Sequence, residues 1–158
     1  MLKKSLISLA FGSFAIGMTE FTMMGILQDI ANDQQIEIPT AAHLIAIYAL
    51  GVVVGAPTLV LFTSKFQPKQ VLLFLMLLFV IINGLFAVMT DYDTLMITRF
   101  LSGLPHGAFF GVSSVVATQL ATKGKEAQAI SIMFTGMTLA NLFGVPLGTY
   151  LGHHYSWR

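Results

Sequence analysis

Apolar residues do not alternate with polar ones along this chain. They gather into five long blocks, at about 5–27, 41–63, 71–89, 94–121 and 127–152, separated by short polar stretches. A helix needs about 20 apolar residues to cross a bilayer core, and each block is of that order. The pattern predicts an all-α membrane protein with five transmembrane helices. Lys3 and Lys4 ahead of the first block resemble the start of a secretory signal. That block, however, outruns the roughly 7–15 apolar residues of a signal, and four more spans follow, so it reads as a retained first helix. The longest connection, QDIANDQQIEIPTAAH, contains Pro39 and Thr40, which suit the start of the second helix. The segments TSKFQPKQ, TDYDT and ATKGKEAQ read as short turns, and no segment reads as a soluble domain.

Composition agrees with this pattern. Of the 158 residues 56% are hydrophobic and 9% are charged, against about 25% charged in soluble domains. There is no basic run to meet a nucleic acid, and the absence of cysteine excludes disulfides and thiolate metal sites. No H-E-x-x-H, G-x-S-x-G or phosphate-binding glycine loop with lysine is present, so neither an enzyme nor a cofactor is expected. The basic residues set an expected orientation. A cytoplasmic N-terminus places Lys3, Lys4, Lys65, Lys69, Lys123 and Lys125 inside and Arg158 outside, with Arg99 within a span. Asp29, Asp33, Glu37, Asp91 and Asp93 then lie on the outer side of the cell (inner) membrane.

Small residues interrupt the spans in a regular way. Gly136, Ala140, Gly144, Gly148 and Gly152 recur every fourth residue in span five, and Gly103, Gly107 and Gly111 do so in span four. Lipid offers little hydrophobic drive between helices, so such stripes point to close backbone approach. Pro57, Pro105 and Pro146 each lie within a span, where neighbours or waters must replace a lost backbone hydrogen bond. Asn83, Thr138 and Asn141 are expected to form interhelical hydrogen bonds.

Three patches together resemble a known family. GMTEFTMMGIL, with its acid Glu20, is similar to a first helix of the drug/proton antiporter branch of the major facilitator superfamily, which includes sugar and nucleoside efflux permeases. RFLSGLPHGAFFG resembles the branch's fourth-helix motif through Arg99, Gly103 and Gly107, and GMTLANLFGVPLG its antiporter motif through Gly136, Gly144, Pro146 and Gly148. The loop FTSKFQPKQ departs from the superfamily signature, with Ser64 and Gln67 where an aspartate and a glycine are usual; Ser102 replaces a frequent glutamine. The resemblance implies five helices of a six-helix N-terminal half, residues 1–158 being an incomplete half whose C-terminal partner half is missing. Pro57 and Pro146 then occupy corresponding positions in two three-helix repeats.

The resemblance also implies that helices one and four line a central cavity. On helix four Arg99, Ser102 and His106 share a face, and on helix one Ser13, Glu20 and Met24 do. A charged group in mid-span costs about 2.5–3.5 kcal/mol on insertion scales, so a lipid-facing Glu20 is disfavoured. Glu20 and Arg99 are therefore the expected proton-coupling pair, and Ser13, Met24, Ser102 and His106 the cavity and substrate candidates. Structural alternatives stand beside each: a permanently protonated Glu20, an Arg99 that snorkels to the headgroups, and a His106 that joins helices near Pro105. The expected function is proton-coupled efflux of a small molecule such as a sugar, nucleoside or drug, the partners being substrate, protons and lipid. The alternative is a non-transporting membrane protein that packs against a full-length transporter.

Overall fold

A computed structural model describes residues 4–158, so Lys3 lies outside the described residues. Six helices follow one another: α1 (Lys4–Asp33), α2 (Ile38–Ala41), α3 (His43–Thr63), α4 (Pro68–Val88), α5 (Tyr92–Leu120) and α6 (Glu126–His154). Among the described residues there is no strand. Five spans are long and apolar enough to cross a membrane, α2 and α3 together forming the second. The chain is thus an all-α membrane protein.

The ends of these helices follow from local chemistry. α1 runs beyond its apolar block into the polar QDIAND segment as far as Asp33. It stops where Gln35 takes a left-handed conformation (φ 54°). There the amides of Gln35 and Ile36 bond back to the carbonyls of Asn32 and Ala31, the pairing that closes many helix C-termini. Pro39 and Pro68 sit in the first turns of α2 and α4, where a missing N–H costs nothing. Asp91 caps α5 by accepting from the Thr94 amide at 3.0 Å. That bond holds the Asp91 carboxyl below the usual carboxylate range. Pro57, Pro105 and Pro146 lie inside helices that continue through them.

Two tight helix pairs make the bundle: α1 packs along α6, α3 packs along α5, and α4 rests on α5. Glycine explains both pairings. A Cβ at Gly136 would collide with the Ala10 carbonyl oxygen of α1, and one at Gly103 with the Tyr48 carbonyl oxygen of α3. The approach is mutual, since Gly17 and Gly25 of α1 abut Ala140 and Thr149 of α6. Such contact gains dispersion energy along the whole seam, which in lipid stands in for the hydrophobic effect. Thr22 Oγ1 donates across the α1–α6 seam to the Gly144 carbonyl at 3.3 Å. Asn83 and Thr138, by contrast, donate to Phe79 and Phe134 of their own helices, so the expectation of interhelical bonds fails for these two. A hydroxyl or amide on a helix reaches the carbonyl one turn back without any help from a neighbour.

Buried apolar side chains fill the space between the pairs, with Ile16, Leu75, Phe79 and Phe109 at the centre. Leu61, Phe62, Leu73 and Val80 face outward, as a lipid-bathed surface allows. At the end of the bundle that carries the aspartates, the last turn of α6 meets α1, and the residues after it fold back over α1 and α4. His153 pairs with Asp29 at 2.8 Å, Arg158 with Asp33 at 2.9 Å, and Trp157 meets Phe86 edge-on.

Candidate functional site

Polar side chains from three helices meet inside the bundle. α5 supplies Arg99 and His106, α3 supplies Tyr48 and α1 supplies Glu20. Arg99 is 1% exposed, which rules out snorkelling in this structure. Its guanidinium carbon stands 4.1 Å from the centre of the Tyr48 ring and 5.5 Å from that of Phe86. A desolvated cation over an aromatic face gains about 2 kcal/mol or more, an interaction that only a buried arginine collects in full. Its Nε lies 3.5 Å from the Leu44 carbonyl, a long contact, and Nη1 is buried with no hydrogen-bond partner.

Beyond the Tyr48 ring the cluster continues towards α1. The Tyr48 hydroxyl lies 2.9 Å from Nδ1 of His106, and both side chains are buried. The same Nδ1 is 3.9 Å from Oε2 of Glu20. Glu20 is 28% exposed at its side chain, while its Oε2 is buried and unpartnered. Among the described residues no ion pair within 4.0 Å joins Glu20 to Arg99. Glu20 and Arg99, expected as a pair, make no direct ion pair here, and both lie in the one cluster through Tyr48 and His106.

The other candidates divide. Ser102 is buried and donates to the carbonyl of Arg99, and Ser13 is buried and donates to that of Leu9. Both hydroxyls are thus occupied within their own helices. Met24 is 53% exposed, one turn beyond Glu20, so this face of α1 is uncovered where the acid sits. Gly136, Gly144 and Gly148, expected as parts of an antiporter motif, face α1 at Ala10, Met18 and Thr22. Pro146 lies in the same helix, exposed. Among the described residues no group of three metal-ligating side chains occurs. A separate apolar cleft of about 760 Å³ between α1, α4 and α5 is lined by Phe11, Leu72, Met76 and Phe109, with Lys69 and Gln119; none of the four cluster residues lines it.

Tyr48 is the member that sequence reasoning missed. A signal was available, because it carries the one polar side chain of α3 between His43 and Thr58.

Comparison with known proteins places this arrangement. Residues 9–158 match the model of the Major Facilitator Superfamily. The putative transporter AraJ of Escherichia coli (strain K12) is 50% identical over 157 residues, covering 99% of this chain and 40% of AraJ. The inner membrane transport protein YdhP of the same organism is 49% identical over 153 residues. The uncharacterized MFS-type transporter YtbD of Bacillus subtilis (strain 168) is 42% identical over 154 residues. The chain spans about two fifths of the length of these curated relatives. Its fold, its membrane spans and these matches together show that the chain belongs to the Major Facilitator Superfamily, a family of membrane transporters.

Proposed function

We propose that the protein of which this chain forms the N-terminal part is a proton-coupled efflux transporter, exchanging protons for a small molecule such as a sugar, a nucleoside or a drug. The observation that carries this reading is the state of Glu20. Its carboxyl lies within an apolar helix, partly open on one side, with Oε2 buried beside His106 and without a hydrogen bond. A carboxyl placed against a histidine on one side and open at the uncovered face of α1 on the other has the setting of a group that exchanges a proton.

Arg99 supplies the complementary half of the device. It is a fixed cation that cannot reach the headgroups and is held by aromatic faces. A buried charge that does not move gives the acid a constant electrostatic reference, so that small displacements of α1 relative to α5 alter its proton affinity. Substrate entering from the uncovered face of α1 would compete with the proton for the same space, and that competition is antiport. The lysine distribution supports a cytoplasmic N-terminus, and the name of YdhP supports an inner-membrane location.

The test uses the full-length transporter in proteoliposomes that enclose a pH-sensitive dye. An aldopentose, a purine nucleoside and the lipophilic cation ethidium are added in turn without any imposed gradient. Proton movement on addition of at least one, absent from empty vesicles, is the expected result. Downhill uptake of a probe with no accompanying proton movement would contradict proton coupling.

A further inference from the structure

One atom in the cluster has two suitors. Nδ1 of His106 stands 2.9 Å from the Tyr48 hydroxyl and 3.9 Å from Oε2 of Glu20, and that oxygen has no other partner. Closing the second distance to hydrogen-bond length needs a displacement of about 1 Å. We propose that the Nδ1 lone pair of His106 is a single acceptor contested by two protons, that of the Tyr48 hydroxyl on α3 and that of protonated Glu20 on α1. Protonation of Glu20 then displaces the Tyr48 hydroxyl from His106, while the Tyr48 ring stays against Arg99. The inference rests on the reading of Glu20 as a proton-accepting acid and adds what the proton does on arrival.

The chemistry follows from the surroundings. Arg99 already places a cation over the Tyr48 ring. In this proposal His106 is neutral, with Nε2 carrying the proton and Nδ1 accepting. While Glu20 is ionised it has no proton to offer, and the Tyr48 hydroxyl donates to Nδ1. Once Glu20 is protonated its own O–H donates to the same lone pair, and one acceptor cannot fully serve both. No other titratable group competes. α1 carries none but Glu20 between Lys4 and Asp29, and α3 none but His43 and Tyr48. α5 adds Arg99 and His106 beyond its first turn, α4 has Lys69 alone, and α6 has none between Glu126 and Tyr150.

The seam beside this bond is packed backbone to backbone. Gly51 and Gly55 of α3 lie on the backbone at Phe100 and Leu104, and Gly103 lies on that at Tyr48, so no interlocked side chains hold the register there. Among the described residues the side-chain hydrogen bonds linking α3 to α5 are the Tyr48–His106 bond and the long Arg99–Leu44 contact. Loss of the first leaves the second, together with the Arg99 cation on the Tyr48 ring.

The test needs no substrate. The chain is reconstituted in phosphatidylethanolamine–phosphatidylglycerol vesicles, and the carbonyl stretch of protonated carboxyl groups is followed by infrared spectroscopy across pH. The Glu20 band is identified by its disappearance in Glu20→Gln. Tyr48→Phe removes the competitor, so the band should persist to a pH higher by about half to one unit, the equivalent of one neutral hydrogen bond. The Tyr48→Phe, His106→Phe double variant should lose that shift, and its carboxyl stretch should move to higher wavenumber as the acid loses its acceptor. Circular dichroism of each variant shows that it remains folded, and His106→Asn, which restores an acceptor near Nδ1, should return the stretch towards lower wavenumber. A Glu20 that titrates but ignores Tyr48→Phe, or that keeps the shift without His106, overturns this inference alone. A Glu20 that never gives a protonated band overturns the transport reading as well.

Discussion

Replacing Gly136 with alanine adds one methyl group to α6 at the point where α1 leaves no room. The added Cβ would overlap the Ala10 carbonyl oxygen and lie 2.8 Å from both the Ala10 carbonyl carbon and the Phe14 amide nitrogen. These are backbone atoms of a helix, which cannot rotate aside, so the seam must open over several residues. Overpacking a well-fitted interior costs about 1–3 kcal/mol, and a backbone clash belongs at the upper end. Gly144 of the same stripe provides the contrast. A Cβ there would meet the Met18 sulfur at 3.2 Å, the far end of a flexible side chain, so Gly144→Ala should cost less than about 1 kcal/mol. Gly84, with nothing within 4 Å of an added Cβ, is the control. Its alanine variant should be neutral or stabilised by up to about 1 kcal/mol of helix propensity. Unfolding by sodium dodecyl sulfate in mixed micelles measures all three. Trp157, the single tryptophan, reports whether the end of α6 stays docked against Phe86. If Gly136→Ala proved as stable as Gly84→Ala, or Gly144→Ala the most damaging, the account of the α1–α6 seam would be wrong.

Two further outcomes are expected. Reporter fusions at residue 66 should behave as cytoplasmic and those at residue 92 as external; the reverse pattern would refute the orientation drawn from the lysines. The Asp91 carboxyl, held below the usual carboxylate range by the Thr94 amide, stabilises the start of α5 while ionised. That stability is complete above the ordinary carboxylate range and is lost as pH falls through the depressed value. Resistance to unfolding should therefore decline in acid, and Asp91→Asn, which still caps but does not titrate, should flatten that part of the decline.

The apolar blocks made the membrane spans legible because crossing a bilayer imposes length and composition on every segment at once. The small-residue stripe of span five was legible as a packing face, though not as a face for α1, since spacing within one helix says nothing about which neighbour it meets. Glu20, Arg99 and His106 stood out because lipid makes any ionisable group conspicuous. The depth of Arg99 did not, because burial depended on the rings of Tyr48 and Phe86 arriving from two other helices. Tyr48 itself is amphipathic enough to pass for an apolar residue in its span, and only its hydroxyl gives it away. The extension of α1 to Asp33 was missed because its last turns are polar and its cap is a left-handed glutamine where glycine is the usual signal. The Arg158–Asp33 pair joins residues far apart in sequence, and no local pattern announces it.

The central claim is that Glu20 carries the coupling proton. Its most direct test is substrate flux by the full-length transporter in proteoliposomes, with and without an imposed pH gradient, comparing the wild type with Glu20→Gln. Glutamine mimics the protonated acid without being able to release a proton. Membrane insertion and downhill exchange should survive, while accumulation of substrate against its gradient should be abolished at every pH. If Glu20→Gln still concentrates substrate when the pH gradient is applied, Glu20 is not the coupling acid.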